Sequence, residues 1–188
     1  MKKFSTLFLL VALTSTFSSC LKKTNDDPAV SFRSRKARLT GRWVAQKGSV
    51  NITQGVWTEG WTITGNHFDY SDPSGSAAGT AVVSFEFDKD GKCDLDITMG
   101  GFLTKATGTW NFTGGIGSQK NKTQVVIHFD SYQDASGSNT LQGNQVNLTY
   151  DLLELRNKTL HIKMTYQDDD GSGNPYARSE DWTLTLQQ

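Results

Sequence analysis

Cysteine is almost missing from this sequence: Cys20 and Cys93 are the only two in 188 residues. A small disulfide-stapled scaffold needs several pairs, so that class is excluded. Histidine is nearly as scarce, with His67, His128 and His161 scattered and no His-Glu-x-x-His run or paired cysteines beside them. A catalytic zinc site therefore has no ligand spacing to draw on. Serine offers no Gly-x-Ser-x-Gly elbow; the stretch Gly115-Ile116-Gly117-Ser118 comes nearest and is not that motif. Carboxylates are numerous, but none pair to converge on one bond as glycoside hydrolysis requires. The acid-rich run from Asp168 to Asn174 lacks the alternating ligand spacing and closing glutamate of a hand-type calcium loop. It reads as a solvated hairpin tip. Together these absences predict a protein with no catalytic residues, no metal and no cofactor.

An excess of charge is also lacking, with 19 basic and 19 acidic side chains. Without residues 1–19, which carry Lys2 and Lys3 and no acid, the balance is 17 against 19, a net of −2. Nucleic-acid binding needs a clustered basic surface and is not expected. Long apolar runs are missing too. The stretch from Leu7 to Leu13 is far short of the roughly 20 residues that span a bilayer as a helix. It follows Lys2 and Lys3 and precedes small polar residues, the order of parts in a secretory signal. With Phe17-Ser18-Ser19-Cys20 behind it, the segment resembles the signal peptide and lipobox of bacterial lipoproteins. That resemblance implies loss of residues 1–19 and acylation of Cys20 as the new first residue. Each buried methylene of an acyl chain contributes about 0.8 kcal/mol, and more than one chain holds a protein lastingly on its membrane. Leu21, where an aspartate would retain the protein at the inner membrane, implies the outer membrane, on either its periplasmic or its surface face. Residues 20–37 read as a polar, lipidated tether, and 38–188 as one domain. Cys93 is left without a partner, and with no base or cation cluster around it, it reads as an inert packed thiol.

Proline is rare, with three residues against 18 glycines. Val, Thr and aromatic residues recur in short runs, the composition of strands joined by glycine-bearing turns. From Gly41 onward the period is two. Val83, Phe85 and Phe87 alternate with polar residues, Asp90-Gly91 supplies a tight turn, and Cys93, Leu95 and Ile97 return. The same pattern runs through Ala106 to Phe112, Val125 to Phe129, Val146 to Leu152, Leu160 to Tyr166 and Trp182 to Leu186. Each strand then has one dry and one wet face, as antiparallel sheets do. Short connections such as Asn157-Lys158 favour a meander. The expected fold is all-β: an up-and-down antiparallel meander of eight or nine strands closed into a barrel, which removes exposed edges. A two-sheet β-sandwich is the alternative. The wet face would lie outside, so this is no membrane-spanning barrel.

Gly41-Arg42-Trp43 at the start of the first strand is similar to the Gly-x-Trp of lipocalins. The stretches from Phe85 to Gly91, Gly108-Thr109-Trp110 and from Leu153 to Leu160 resemble lipocalin-like bacterial lipoproteins. The likeness covers most of residues 39–187. It implies that Trp43 plugs the closed end of the barrel beneath an arginine, with Arg156 and Arg178 both open as that arginine.

The dry face is rich in aromatic residues. Trp57, Trp61, Phe85, Phe87, Trp110, Phe129 and Tyr150, with Glu59 in phase between the first two, are the candidate lining of a lumen. A barrel of this size is either filled by its own side chains or holds one small ligand. The first expectation for function is a non-enzymatic, outer-membrane-anchored lipoprotein that takes up a small apolar or amphipathic ligand. The alternative is a packed interaction or surface-accessory module acting through loops at 114–122, 133–144 and 167–177.

Overall fold

The computed structural model describes residues 34–113, 123–140, 147–169, 173 and 175–187. A five-residue helix, α1 (Arg35–Leu39), opens it, capped by the Ser34 side chain, which accepts from the Ala37 amide at 3.1 Å. The helix takes in the last three residues of the expected tether. Among the described residues eleven strands follow: β1 (Gly41–Gln54), β2 (Trp57–Thr64), β3 (His67–Asp72), β4 (Gly75–Phe87), β5 (Lys92–Met99), β6 (Phe102–Thr113), β7 (Gln124–Asp134), β8 (Gly137–Thr140), β9 (Asn147–Leu155), β10 (Thr159–Asp169) and β11 (Pro175–Leu186). All pair antiparallel, and ten close into a barrel, with β11 returning to β1 and β8 hanging from the far half of β7. One continuous ring replaces the two-sheet alternative.

The strand count of eight or nine is corrected to ten, and the reason is local. At one end Gly41 to Val44 of β1 pair directly with Ser84 to Phe87 of β4, so eight strands suffice there. Further along, the hairpin β2–β3 separates β1 from β4 and widens the ring. The turn that makes this hairpin, with Gly65 at φ 61°, sits in a polar stretch whose apolar phase is carried by Phe68 and Tyr70 alone. The loops expected at 133–144 and 167–177 are also partly strand: the first holds the end of β7 and β8, the second the ends of β10 and β11. The loop expected at 114–122 lies outside the described residues.

Alternation places most side chains as read, although Tyr166, expected on the dry face, is 38 % exposed. Val83, Phe85, Phe87, Cys93, Trp110, Val125, Ile127, Phe129, Tyr150, Leu152, Leu160, Ile162, Trp182 and Leu184 are all buried. Aromatic rings run through the barrel in edge contact: Trp61 to Trp182 at 5.4 Å, Trp182 to Phe85 at 6.0 Å, Phe87 to Trp110 at 5.6 Å and Trp110 to Phe112 at 5.5 Å. Such pairs add about 0.5–1.5 kcal/mol each beyond the area they bury. The narrow end is shut by α1. Trp43, fully buried, donates its indole N–H to the Leu39 carbonyl at 2.7 Å. Arg38, also buried, donates from Nη1 to the Leu155 carbonyl at 2.8 Å.

Among the described residues three ladders shift register, one of them where the Thr107–Gly108 step of β6 faces Ser131 and Phe129, leaving Asp130 of β7 as the extra, bulged residue. At Gly108 the β7 backbone comes so close that a Cβ would lie 1.9 Å from the His128 carbonyl oxygen. Only glycine fits where two backbones approach this way.

Candidate ligand-binding mouth

The wide end is lined by the inner faces of β3, β2, β1, β11 and β10, and strand register sets its layout. The deepest row across these strands is Tyr70, Trp61, Val50, Glu180 and Met164. Nearer the rim, Glu59, Ile52, Arg178 and Tyr166 stand side by side, and beyond them Trp57, Gln54, Tyr176 and Asp168. A strand with buried alternate positions should show an apolar residue every second place. On β11 that rule holds through Leu184 and Trp182, then meets Glu180 and Arg178 at the next two inward positions.

Glu180 is only 3 % exposed, and every oxygen is used. Its Oε2 accepts from the Tyr150 hydroxyl at 2.7 Å and from the Trp182 indole at 2.8 Å. Its Oε1 accepts from Arg178 Nε at 2.8 Å and lies 2.6 Å from Nη2. A buried carboxylate is tolerated when it is paired and hydrogen-bonded in this manner. Burial drives the Tyr150 phenol far above its ordinary pKa, and the charge of Glu180 adds to this. For Arg178, burial works against the charge, but Glu180 outweighs it and the guanidinium is held protonated. Arg178 remains 33 % exposed, and its Nη1 has no partner among the described residues.

Across Ile52 stands a second polar group. The Tyr70 hydroxyl donates to Asp72 at 2.8 Å and lies 3.3 Å from Glu59 Oε2. The Asp72 bond is the main reason the Tyr70 pKa is pushed up to about 12. Asp72 is in turn held below its usual range, chiefly by the Ser74 hydroxyl and then by Tyr70. At the rim Tyr166 donates to Asp168 at 2.7 Å and its ring meets Tyr176 at 6.0 Å.

The residues expected to line a lumen divide between two environments. Phe85, Phe87, Trp110, Phe129 and Tyr150 are buried against one another and fill the barrel below Glu180. Trp57, 42 % exposed, and the half-buried Glu59 and Trp61 lie at the mouth. Trp43 sits at the closed end, and the arginine buried there is Arg38 of α1, not Arg156 or Arg178. Arg156 is on the β9–β10 turn, ion-paired with Glu154 at 2.9 Å, and Arg178 is at the opposite end of the barrel. No motif in the sequence marks Glu180, although the period of two that runs back from Trp182 reaches it. Cys93 is buried, and desolvation, followed by the nearby charge of Asp94, raises its thiol pKa strongly, as for a packed and unreactive cysteine. His128 and His161 face outward, against Asn147 at 2.7 Å and Asp181 at 2.8 Å. Cys20 lies outside the described residues. No group of three or more His, Cys, Asp or Glu among the described residues is arranged to hold a metal ion. No protein-family model, curated protein or solved structure matches this chain.

Proposed function

We propose that this protein is a non-enzymatic lipoprotein of the outer membrane, anchored through Cys20, whose barrel mouth binds a small amphipathic molecule. The observation that carries the reading is Arg178. A side chain that is charged, locked by a buried carboxylate and left, among the described residues, with no partner on Nη1 is costly as mere structure, because replacing a buried pair with apolar residues is often stabilising. It is the arrangement of a positioned polar group in an otherwise aromatic site. Trp57, Trp61, Tyr166 and Tyr176 supply the apolar surface around it. Packing below Glu180 confines the ligand to the mouth. Kinship with lipocalin-like lipoproteins is part of the proposal, supported by Trp43 at the closed end and by the meander order.

Native mass spectrometry of the protein purified from its own cells tests the binding reading: a retained adduct of small mass is expected, and a clean mass of the bare chain argues against it. Membrane fractionation tests the address, since Cys20→Ser should move the protein from the membrane fraction to the soluble one. The competing reading, an interaction module, draws on the rim. Val56 is fully exposed, and Phe102 is 72 % exposed at the β5–β6 turn. It calls for crosslinking in intact cells to recover one partner, lost in Val56→Asp with Phe102→Asp.

A further inference from the structure

We infer that the mouth recognises a zwitterion: a molecule whose polar end joins a cationic nitrogen to an oxyanion, with an apolar part lying over the aromatic rings. This rests on the binding reading above and names its ligand class. Glu59 on β2 and Arg178 on β11 are each in register with Ile52 of the intervening β1, on its inward face. Two strand spacings put their backbones about 10 Å apart. The two opposite charges do not pair with each other. Among the described residues, Arg178 turns to Glu180 and its Nη1 has no partner, while Glu59 meets Tyr70 through Oε2 and its Oε1 has no partner. Between them lies the apolar side chain of Ile52, with Trp61 below.

A singly charged ligand fits this row poorly. An anion on Arg178 would face Glu180 beneath it and Glu59 with Asp72 across Ile52. A cation at Glu59 would face the guanidinium. A ligand with both charges meets each with its complement, and an oxyanion takes the planar guanidinium through charge-assisted N–H bonds. Its cationic nitrogen finds Glu59 together with the faces of Trp57 or Trp61, which attract cations through the ring quadrupole. Two sources share this chemistry, the headgroup of a choline or ethanolamine phospholipid and a free α-amino acid with an aromatic side chain.

The test is a tryptophan-fluorescence titration of the full chain carrying Cys20→Ser, which cannot be acylated. Four probes with short chains, kept below micelle formation, are compared: a lysophosphatidylcholine, the fatty acid of the same chain length, the matching alkyltrimethylammonium ion, and phenylalanine. The lysophospholipid or phenylalanine should bind at least tenfold tighter than either singly charged chain, and whichever does so names the source. Glu59→Gln, at a partly exposed position where the fold is not at stake, should weaken the zwitterion about tenfold and tighten the fatty acid. Arg178→Gln should do the converse for the ammonium ion. Equal or tighter binding of a singly charged chain, or no response to Glu59→Gln, overturns the zwitterion and leaves the binding function standing. No binding of any probe, together with a clean native mass, removes both.

Discussion

The Tyr150 hydroxyl on β9 reaches past β10 to donate a 2.7 Å hydrogen bond to Glu180 on β11. That bond marks a boundary inside the barrel. On one side, toward α1, the interior is hydrophobic and filled; on the other, the inward positions turn polar and open. A floor built in this way fixes Arg178 from below. At the proposed site, a ligand would then meet its remaining donors without the reorganisation that a free arginine would require.

Removal of that floor is expected to be costly. Glu180→Ala leaves Tyr150, Trp182 and most of Arg178 without their acceptor. Breaking a buried pair by deleting one partner costs about 3–5 kcal/mol, and solvent reaching Arg178 places this case toward the lower figure. Tyr150→Phe leaves Glu180 two partners and should cost about 1–2 kcal/mol. Urea unfolding of both variants measures the difference; equal losses would mean that Glu180 is not the centre of the cluster.

Two glycines hold close approaches. A Cβ at Gly48 would lie 2.2 Å from the Trp182 ring, and at Gly108 1.9 Å from the His128 carbonyl oxygen. Gly108→Ala must move backbone and is expected to lose about 3 kcal/mol or more, against a smaller loss for Gly48→Ala, where a ring gives way. Thermal unfolding ranks them, and a Gly108→Ala protein as stable as the parent would contradict the bulge.

The plug at the narrow end makes a separate prediction. Leu39 is fully buried beneath the barrel although it follows a segment read as tether. Leu39→Ala should cost about 2–4 kcal/mol, as for a core leucine, whereas a tether residue would cost nothing measurable. Denaturant midpoints of this variant and of Lys36→Ala separate the two cases.

Alkaline titration reads the phenols. Tyr70, at about 12, and Tyr150 and Tyr166, both raised, keep their protons above the pH at which an unfolded chain loses them. A raised phenol pKa in the folded state gives stability that is complete below about pH 10 and is lost as the pH rises through the folded value. Absorbance at 295 nm should therefore rise later in the folded protein than in urea. Tyr70→Phe should remove part of the late component.

Period-two alternation was enough to specify an all-β chain, the meander and the identity of most core residues, because a strand with one dry face repeats every two positions whatever it packs against. Asp90-Gly91 and Asn157-Lys158 were legible as turns for an equally local reason: their backbone shape is a property of the dipeptide. The end to which each residue belongs was not local. Arg178 and Trp43 are both inward-facing candidates in sequence, yet closure of the ring sets them at opposite poles. The burial of Arg38, the insertion of β2–β3 between β1 and β4, and the meeting of Tyr150 with Glu180 likewise depend on strands distant along the chain. Pattern decides which face a side chain takes; only closing the barrel decides which other side chains it meets, since that is fixed by register between strands and not by any one strand.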